Sequence, residues 1–142
     1  MTDLHPAVLM FIAVRHVETR VMNAAAEAGF ELTLAQARLA ARVSERGSRL
    51  TDLAEQAQIT KQSAGFLVDQ LERAGLVERA PDPADARARL VRFTERGLRV
   101  VAVARKVERQ VLREWRRHLG AERFDALQEG LKALREITDP YA

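Results

Sequence analysis

The chain has 142 residues, 47% of them hydrophobic and 30% charged, so it is long enough to form one compact domain with a buried core. It contains no cysteine, which excludes disulfide scaffolds, thiol redox switches, cysteine nucleophiles and cysteine-based metal sites. The net charge is +3, and five arginines against a single acid lie between residues 87 and 99, which fits an anionic partner.

Hydropathy gives no sign of a membrane protein. No segment reaches the roughly 20 uncharged apolar residues that a spanning helix needs, and the first residues lack the basic-then-apolar order of a signal peptide. We therefore expect a cytoplasmic protein with no membrane partner.

The first predicted helix covers residues 4–29, where apolar residues recur at three- and four-residue steps until Gly29 ends the pattern. Leu4, Val8 and Ile12 lie off the main apolar stripe, so more than one face of this helix is apolar. Because a monomer rarely exposes so much apolar surface, the pattern indicates a partner helix.

A capping-box pattern, Thr33 with Gln36, predicts the start of a second helix that continues to Arg46 and Gly47. The connection over residues 48–50 is extended enough to form the edge of a sheet.

A short third helix is predicted over residues 52–58, with Thr51 as its N-cap. Thr60 is placed to cap a fourth helix that runs through Ala74, and Gly75 is placed to end it.

The pattern then changes to strands at residues 76–79 and 90–93, separated by a turn at Pro81, Asp82 and Pro83. We expect a hairpin whose polar tip projects from the body and is held only by its own strands. Two helices follow the hairpin, from Thr94 to about residue 118 and over residues 121–137.

Two short helices with a tight joint, a hairpin and a long helix follow one another in the order of a winged helix-turn-helix. The fourth helix has one apolar face, formed by Ala64, Leu67, Val68 and Leu71. Its opposite face can reach base edges or phosphates in a major groove. That face also carries Asp69 and Gln70, and its candidate DNA contacts are Thr60, Lys61, Gln62, Ser63, Phe66 and Arg73.

Four runs of the sequence resemble the MarR family of bacterial transcriptional regulators. These are ITKQS at residues 59–63, LERAGLVER at 71–79, DPADAR at 82–87 and LVRFTERG at 90–97. The most specific part is the acid-x-Arg pair of the hairpin, which precedes a short strand and a Thr-x-x-Gly helix start.

The resemblance implies a mainly α fold with a small β-hairpin wing, in which a winged helix-turn-helix lies between N- and C-terminal dimerisation helices. The corresponding ranges are a single domain at 1–142, a DNA-binding lobe at 33–97, and dimerisation helices at 4–29 and 100–138. It further implies a homodimer that binds a pseudo-palindromic operator in double-stranded DNA, commonly as a repressor.

Within the wing, Arg87 matches the family's tip arginine, which enters the minor groove, and Asp85 matches the acid that orients it. Arg89 is a further candidate for DNA contact on the same hairpin. A solvated turn without a partner is the alternative for both arginines.

The resemblance also implies an effector, a small and often aromatic anion that binds between the dimerisation helices and the DNA-binding lobe and lowers DNA affinity. Arg15, His16 and Trp115 are the candidate contacts for such an aromatic or amphipathic acid, with surface or interface packing as the alternative. Because the chain has no cysteine, thiol-based induction of the kind used by the peroxide-sensing branch is closed.

Neither catalysis nor a bound metal or cofactor is expected. The three histidines are scattered without ligand spacing, and the sequence contains no phosphate-binding glycine loop and no Ser–His–Asp arrangement. The remaining alternative is a winged-helix module that binds another protein and has no sequence-specific DNA binding.

Overall fold

A computed structural model describes residues 3–141, which form six helices and one two-stranded antiparallel sheet. The elements in chain order are α1 Pro6–Glu27, α2 Leu34–Ala40, α3 Leu50–Ala57, α4 Lys61–Arg73, β1 Val77–Asp82, β2 Asp85–Phe93, α5 Glu95–Leu119 and α6 Ala121–Thr138. This architecture confirms the predicted mainly α fold with a β-hairpin wing. The predicted single domain also includes residues 1, 2 and 142, which lie outside the described residues.

The core lies between α2, α3, α4 and the hairpin. Its most deeply buried side chains are Leu39, Leu53, Ala64, Val68, Leu71, Val77 and Val91. Since each fully buried leucine or valine contributes about 1.5–3 kcal/mol, these contacts hold the three short helices and the hairpin together as one lobe. Ala25 and Phe30 join the same core from the end of α1, which anchors that long helix to the lobe.

The second helix is shorter than predicted. It ends at Ala40, not at Gly47, because the following residues form their own hydrogen bonds. The Ser44 N–H donates to the Ser48 hydroxyl oxygen at 3.0 Å, and the Ser44 hydroxyl donates to the Gly47 carbonyl at 2.6 Å. Such local side-chain bonds compete with the helix.

A β-bridge between Ser48 and Val91 confirms the predicted sheet edge at Ser48, whereas Leu50, which was predicted as part of this edge, begins α3. Ser48 and Val91 exchange backbone hydrogen bonds of 2.9 and 2.8 Å. The bridge also explains why the predicted start of α3 at residue 52 is wrong. Arg49, directly after the bridge, is extended and acts as the N-cap, so the helix begins at Leu50.

The joint between α3 and α4 is tight, as predicted. Gln58 adopts a left-handed conformation with φ of 56°, and its side-chain amide donates to the Glu55 carbonyl at 2.7 Å. Two residues later, the Thr60 hydroxyl oxygen accepts the Ser63 N–H at 3.0 Å and caps α4. Such side-chain hydrogen bonds help a residue other than glycine to occupy the left-handed region, so the turn is short.

Helices α1, α5 and α6 carry the largest exposed apolar surface. Helix α1 packs along α5, where Arg20 and Glu114 form a bidentate ion pair of 2.8 and 3.1 Å. Helix α6 follows α5 after Gly120 and packs back against it. The exposed apolar side chains on α1 and α6 are Val8, Leu9, Met10, Phe11, Ile12, Val14, Leu127, Leu131, Leu134 and Ile137. None of the helices between residues 3 and 141 is long and apolar enough to cross a membrane.

Candidate nucleic-acid interface

Helix α4 presents a buried face to the lobe and a free face to solvent. Ala64, Val68 and Leu71 are almost completely buried on the inner face. All six residues predicted for the outer face are exposed, namely Thr60, Lys61, Gln62, Ser63, Phe66 and Arg73. At about 100° per residue, Gln62, Phe66 and Arg73 lie near the middle of this outer face.

The first turn of α4 separates capping residues from free ones. The Thr60 hydroxyl oxygen accepts the Ser63 N–H, and its proton is donated to the Ser63 hydroxyl oxygen at 2.9 Å, so these two side chains satisfy each other. The side chains of Lys61 and Gln62 make no hydrogen bond within residues 3–141. A helix N-terminus with an exposed lysine favours an anion such as a phosphate group.

Two acids on α4 are paired with one arginine, Arg79, that the sequence analysis did not single out. Arg79 of β1 forms ion pairs with Asp69 at 2.8 Å and with Glu72 at 3.1 Å. The sequence signal was weak, two acids three residues apart that precede a basic strand residue. The pairing offsets negative charge beside the outer face of α4, where an anionic partner would otherwise be repelled.

The wing has an irregular tip. Strand pairing joins Pro81 to Arg89 and then Asp82 to Asp85, so residues 86–88 bulge out of the ladder without partners. Arg87 lies in the middle of this bulge, and its backbone N–H donates to the Asp85 carboxylate at 3.0 Å. The predicted orientation of the Arg87 guanidinium by Asp85 is not found in the described chain, because the acid binds the backbone instead.

A second contact ties the wing to the lobe. The guanidinium of Arg49, at the start of α3, donates from Nε and Nη2 to one oxygen of Asp82, at 3.0 and 2.8 Å. The other Asp82 oxygen accepts the Ala84 N–H at 2.9 Å. The Ala84 N–H and the Arg49 guanidinium lower the pKa of the Asp82 carboxyl. The expectation that only its own strands hold the tip is therefore wrong.

The three predicted effector contacts lie on the α1–α5 surface. The rings of His16 and Trp115 are 6.4 Å apart and tilted by 30°, and the Arg15 guanidinium lies 6.0 Å from the centre of the Phe11 ring. None of them is among the lining residues of the cavity between α1, α2 and α5 or of the cleft beside the C-terminal end of α6.

A cavity of about 260 Å³ lies elsewhere, between α1, α2 and α5. Its wall is mainly apolar and includes Val21, Met22, Leu32, Val43, Phe93 and Val101. Arg105 and Glu108, one turn apart on α5, are the charged residues of its lining. Within residues 3–141 no cluster of histidine, aspartate or glutamate side chains is arranged to hold a metal ion.

Comparison with known proteins supports both the fold and the family. Residues 30–88 match the family model described as the MarR family. A search of curated protein sequences gives no match.

Three solved structures share the fold over most of their length. Wild-type MarR from E. coli is 18% identical with a TM-score of 0.71, covering 94% of this chain and 98% of that chain. The transcriptional regulator Tm0710 from Thermotoga maritima is 25% identical with a TM-score of 0.63 and coverages of 94% and 92%. CouR from Rhodococcus jostii RHA1, solved bound to p-coumaroyl-CoA, is 21% identical with a TM-score of 0.72 and the same coverages. Residues 30–88, which hold the helix-turn-helix segment, are therefore similar to the MarR family, and nearly the whole chain shares the fold of these solved structures.

Proposed function

We propose that this protein is a cytoplasmic, homodimeric transcriptional regulator that binds a pseudo-palindromic operator in double-stranded DNA and represses transcription. The observation that carries the proposal is the free outer face of α4, where Lys61, Gln62 and Arg73 are exposed. An α-helix fits the major groove of B-DNA, and amide and basic side chains at its N-terminal end can reach base edges and phosphates.

The wing supplies a second set of contacts. Arg87 and Arg89 are exposed and form no ion pair within residues 3–141, so both positive charges are available to a phosphate backbone. A narrow minor groove concentrates negative potential, and an arginine that projects from a bulge can enter it. Asp85, which binds the Arg87 backbone, keeps that bulge in shape.

Dimerisation follows from the apolar surface of α1 and α6. A second copy that covers these two helices would remove a large apolar patch from water. Two-fold symmetry would then place one α4 in each of two successive major grooves, about 34–36 Å apart, and require a palindromic site.

The test is a titration of labelled duplex DNA, with an operator selected from random duplexes and a scrambled duplex as competitor. We expect affinity to fall steeply with salt, with a log–log slope of about 0.9 per neutralised phosphate. Lys61→Ala should weaken binding to both duplexes and lower the slope by about two, one lost phosphate contact for each subunit, whereas Gln62→Ala should cost about 1–3 kcal/mol per half-site on the operator alone. If DNA affinity does not depend on salt and both variants lose affinity equally on both duplexes, the result would favour a module that binds another protein.

The cavity between α1, α2 and α5 is our proposed effector site, because it lies between the dimerisation helices and the DNA-binding lobe. Its apolar wall suits an aromatic or aliphatic body, and Arg105 suits an acidic group on the ligand. CouR, solved with p-coumaroyl-CoA, supports an aromatic acid derivative as the class. Arg15, His16 and Trp115 stay a prediction for a contact nearer the dimer interface.

An effector must satisfy reciprocity. A ligand that weakens operator binding by a given factor must itself bind more weakly, by the same factor, in the presence of operator. Isothermal titration of one aromatic acid into the protein, with and without operator, measures the two ligand affinities that are compared. Met22→Trp, which narrows the cavity, should weaken ligand binding, whereas operator binding by this variant tests whether the fold is intact.

A further inference from the structure

Phe66 is an exposed aromatic side chain in a polar setting. Its exposed fraction is 60%, higher than that of any apolar residue on α1. The other exposed apolar side chains lie mainly on α1 and α6, but Phe66 lies on α4, which packs mainly against α2, α3 and the hairpin. A dimer built on α1 and α6 therefore leaves this ring in water.

The neighbours of Phe66 define what can cover it. Gln62 precedes it by one helical turn, and Arg73 lies between the two in projection along the axis. A protein surface that covered the ring would have to leave these polar groups hydrated or paired. The fitting partner is anionic and rich in hydrogen-bonding groups, with a small apolar group at one place.

The major groove of DNA has that chemistry. Among the groups that base pairs present there, the 5-methyl of thymine is the apolar one, and phenylalanine is a residue able to contact it. A helix that places Gln62 at one base edge has the residue one turn later about 6 Å further along its axis, within reach of a neighbouring base pair.

We propose that Phe66 reads the 5-methyl group of a thymine in each half-site. The inference rests on the proposed function, since it requires α4 to lie in the major groove, and it adds the chemical group that this side chain recognises. Removal of this methyl from water, and not a hydrogen bond, is the source of the preference, so a pyrimidine without the methyl is discriminated against.

Deoxyuridine provides the test, because it retains the hydrogen-bonding edge of thymine and lacks only the methyl group. Each thymine of the selected operator is replaced by deoxyuridine in turn, in both half-sites together. We expect the wild-type protein to bind about fourfold more weakly per half-site at one position, which is the cost of one buried methyl group. The Phe66→Ala variant should bind more weakly than wild type but equally to thymine and deoxyuridine there.

Two controls sharpen the result. Gln62→Ala should lose affinity and keep the thymine preference, because it leaves the ring in place. Replacing the critical thymine by cytosine should weaken binding, and 5-methylcytosine at the same position should recover part of it. Circular dichroism of Phe66→Ala checks that the exposed substitution leaves the fold intact.

The outcomes separate the two proposals. Sequence-specific binding that is equally strong with deoxyuridine at every position overturns the role of Phe66 and leaves the DNA-binding function standing. A methyl effect that persists in Phe66→Ala assigns the contact to another residue and also overturns it. Absence of any specific duplex binding overturns both proposals.

Discussion

Gly97, in the first turn of α5, lies against the backbone of Leu76, in the turn between α4 and β1. A Cβ added at this position would be 1.9 Å from the Leu76 carbonyl oxygen and 3.1 Å from Cδ1 of Phe93. The first contact is with backbone, which cannot move aside as a side chain can. The glycine therefore permits the close approach of α5 to the lobe, and Thr94 caps the helix at the same place.

We expect Gly97→Ala to lower the free energy of unfolding by about 1–3 kcal/mol or more, because it forces the helix away from the lobe. Urea denaturation measures the change. Gly130→Ala is the matched control, since nothing lies within 4 Å of a Cβ built there in α6, and it should stabilise the protein by about 0.5–1 kcal/mol. Similar stability losses in both variants would contradict the proposed steric cause.

At the scale of single elements, the wing depends on the ion pair between Arg49 and Asp82. The pair joins the start of α3 to the last residue of β1. It therefore holds the bulge with Arg87 in place relative to α4. Arg49 is still partly exposed, and a direct phosphate contact is the competing role for it.

The direction in which one substitution changes operator affinity distinguishes these two roles of Arg49. Asp82→Asn removes a negative charge near DNA and keeps an acceptor for the Ala84 N–H. A·T-rich DNA has a narrow minor groove, so a wing arginine that enters the groove should favour A·T-rich flanks. If Arg49 positions the wing, the Asp82→Asn variant should bind the operator more weakly and lose this preference. If Arg49 contacts phosphate, releasing it should strengthen binding. Competition titrations with A·T-rich and G·C-rich flanks measure both, and Arg87→Ala shows the result expected when the wing contact is lost.

The elements that the sequence predicts well are those set by local residues. Thr33, Thr60 and Thr94 cap their helices through bonds to residues three positions later, and each cap lies where the sequence pattern indicates. The start of α3 differs from the prediction because it depends on the bridge between Ser48 and Val91, which are 43 residues apart. No local pattern carries that pairing.

The candidate site divides in the same way. The outer face of α4 was predictable because helical periodicity determines which residues face away from the core. The cavity was not, since its alanine, valine and methionine side chains carry no chemical signature and their convergence from α1, α2 and α5 is a tertiary property. The Arg49–Asp82 pair spans 33 residues and is equally invisible to sequence patterns.

For the whole molecule, two acids on or beside α1 couple its packing to pH. Arg38 lowers the pKa of the Glu18 carboxyl, and Arg20 lowers that of Glu114, in both cases through hydrogen bonds to the carboxylate. A folded-state pKa below the unfolded value means that the stabilisation is present above the unfolded pKa, about 4.3, and is lost as pH falls through the folded pKa.

We therefore expect the melting temperature to decrease on acidification below about pH 4. Glu18→Gln should be less stable than wild type at pH 7, and the difference should shrink towards zero as the wild-type carboxyl becomes protonated. Thermal melts of both proteins between pH 3 and pH 7 measure this convergence. A constant difference across that range would mean that charge is not what Glu18 contributes.

The proposed dimer would bury the apolar faces of α1 and α6, which are exposed in a single chain. Leu131→Glu places a charge in the α6 face, so the dimer should dissociate to the 15.9 kDa chain while the lobe stays folded. A monomer reaches one half-site only, and its operator affinity should fall towards that of a half-site duplex. Ala133→Glu, about 160° from Leu131 around the axis of α6, adds the same charge and should weaken the dimer less. Sedimentation equilibrium at micromolar concentration measures the molecular mass of each protein in solution. A wild-type protein that sediments as a single chain would remove the basis for a palindromic operator.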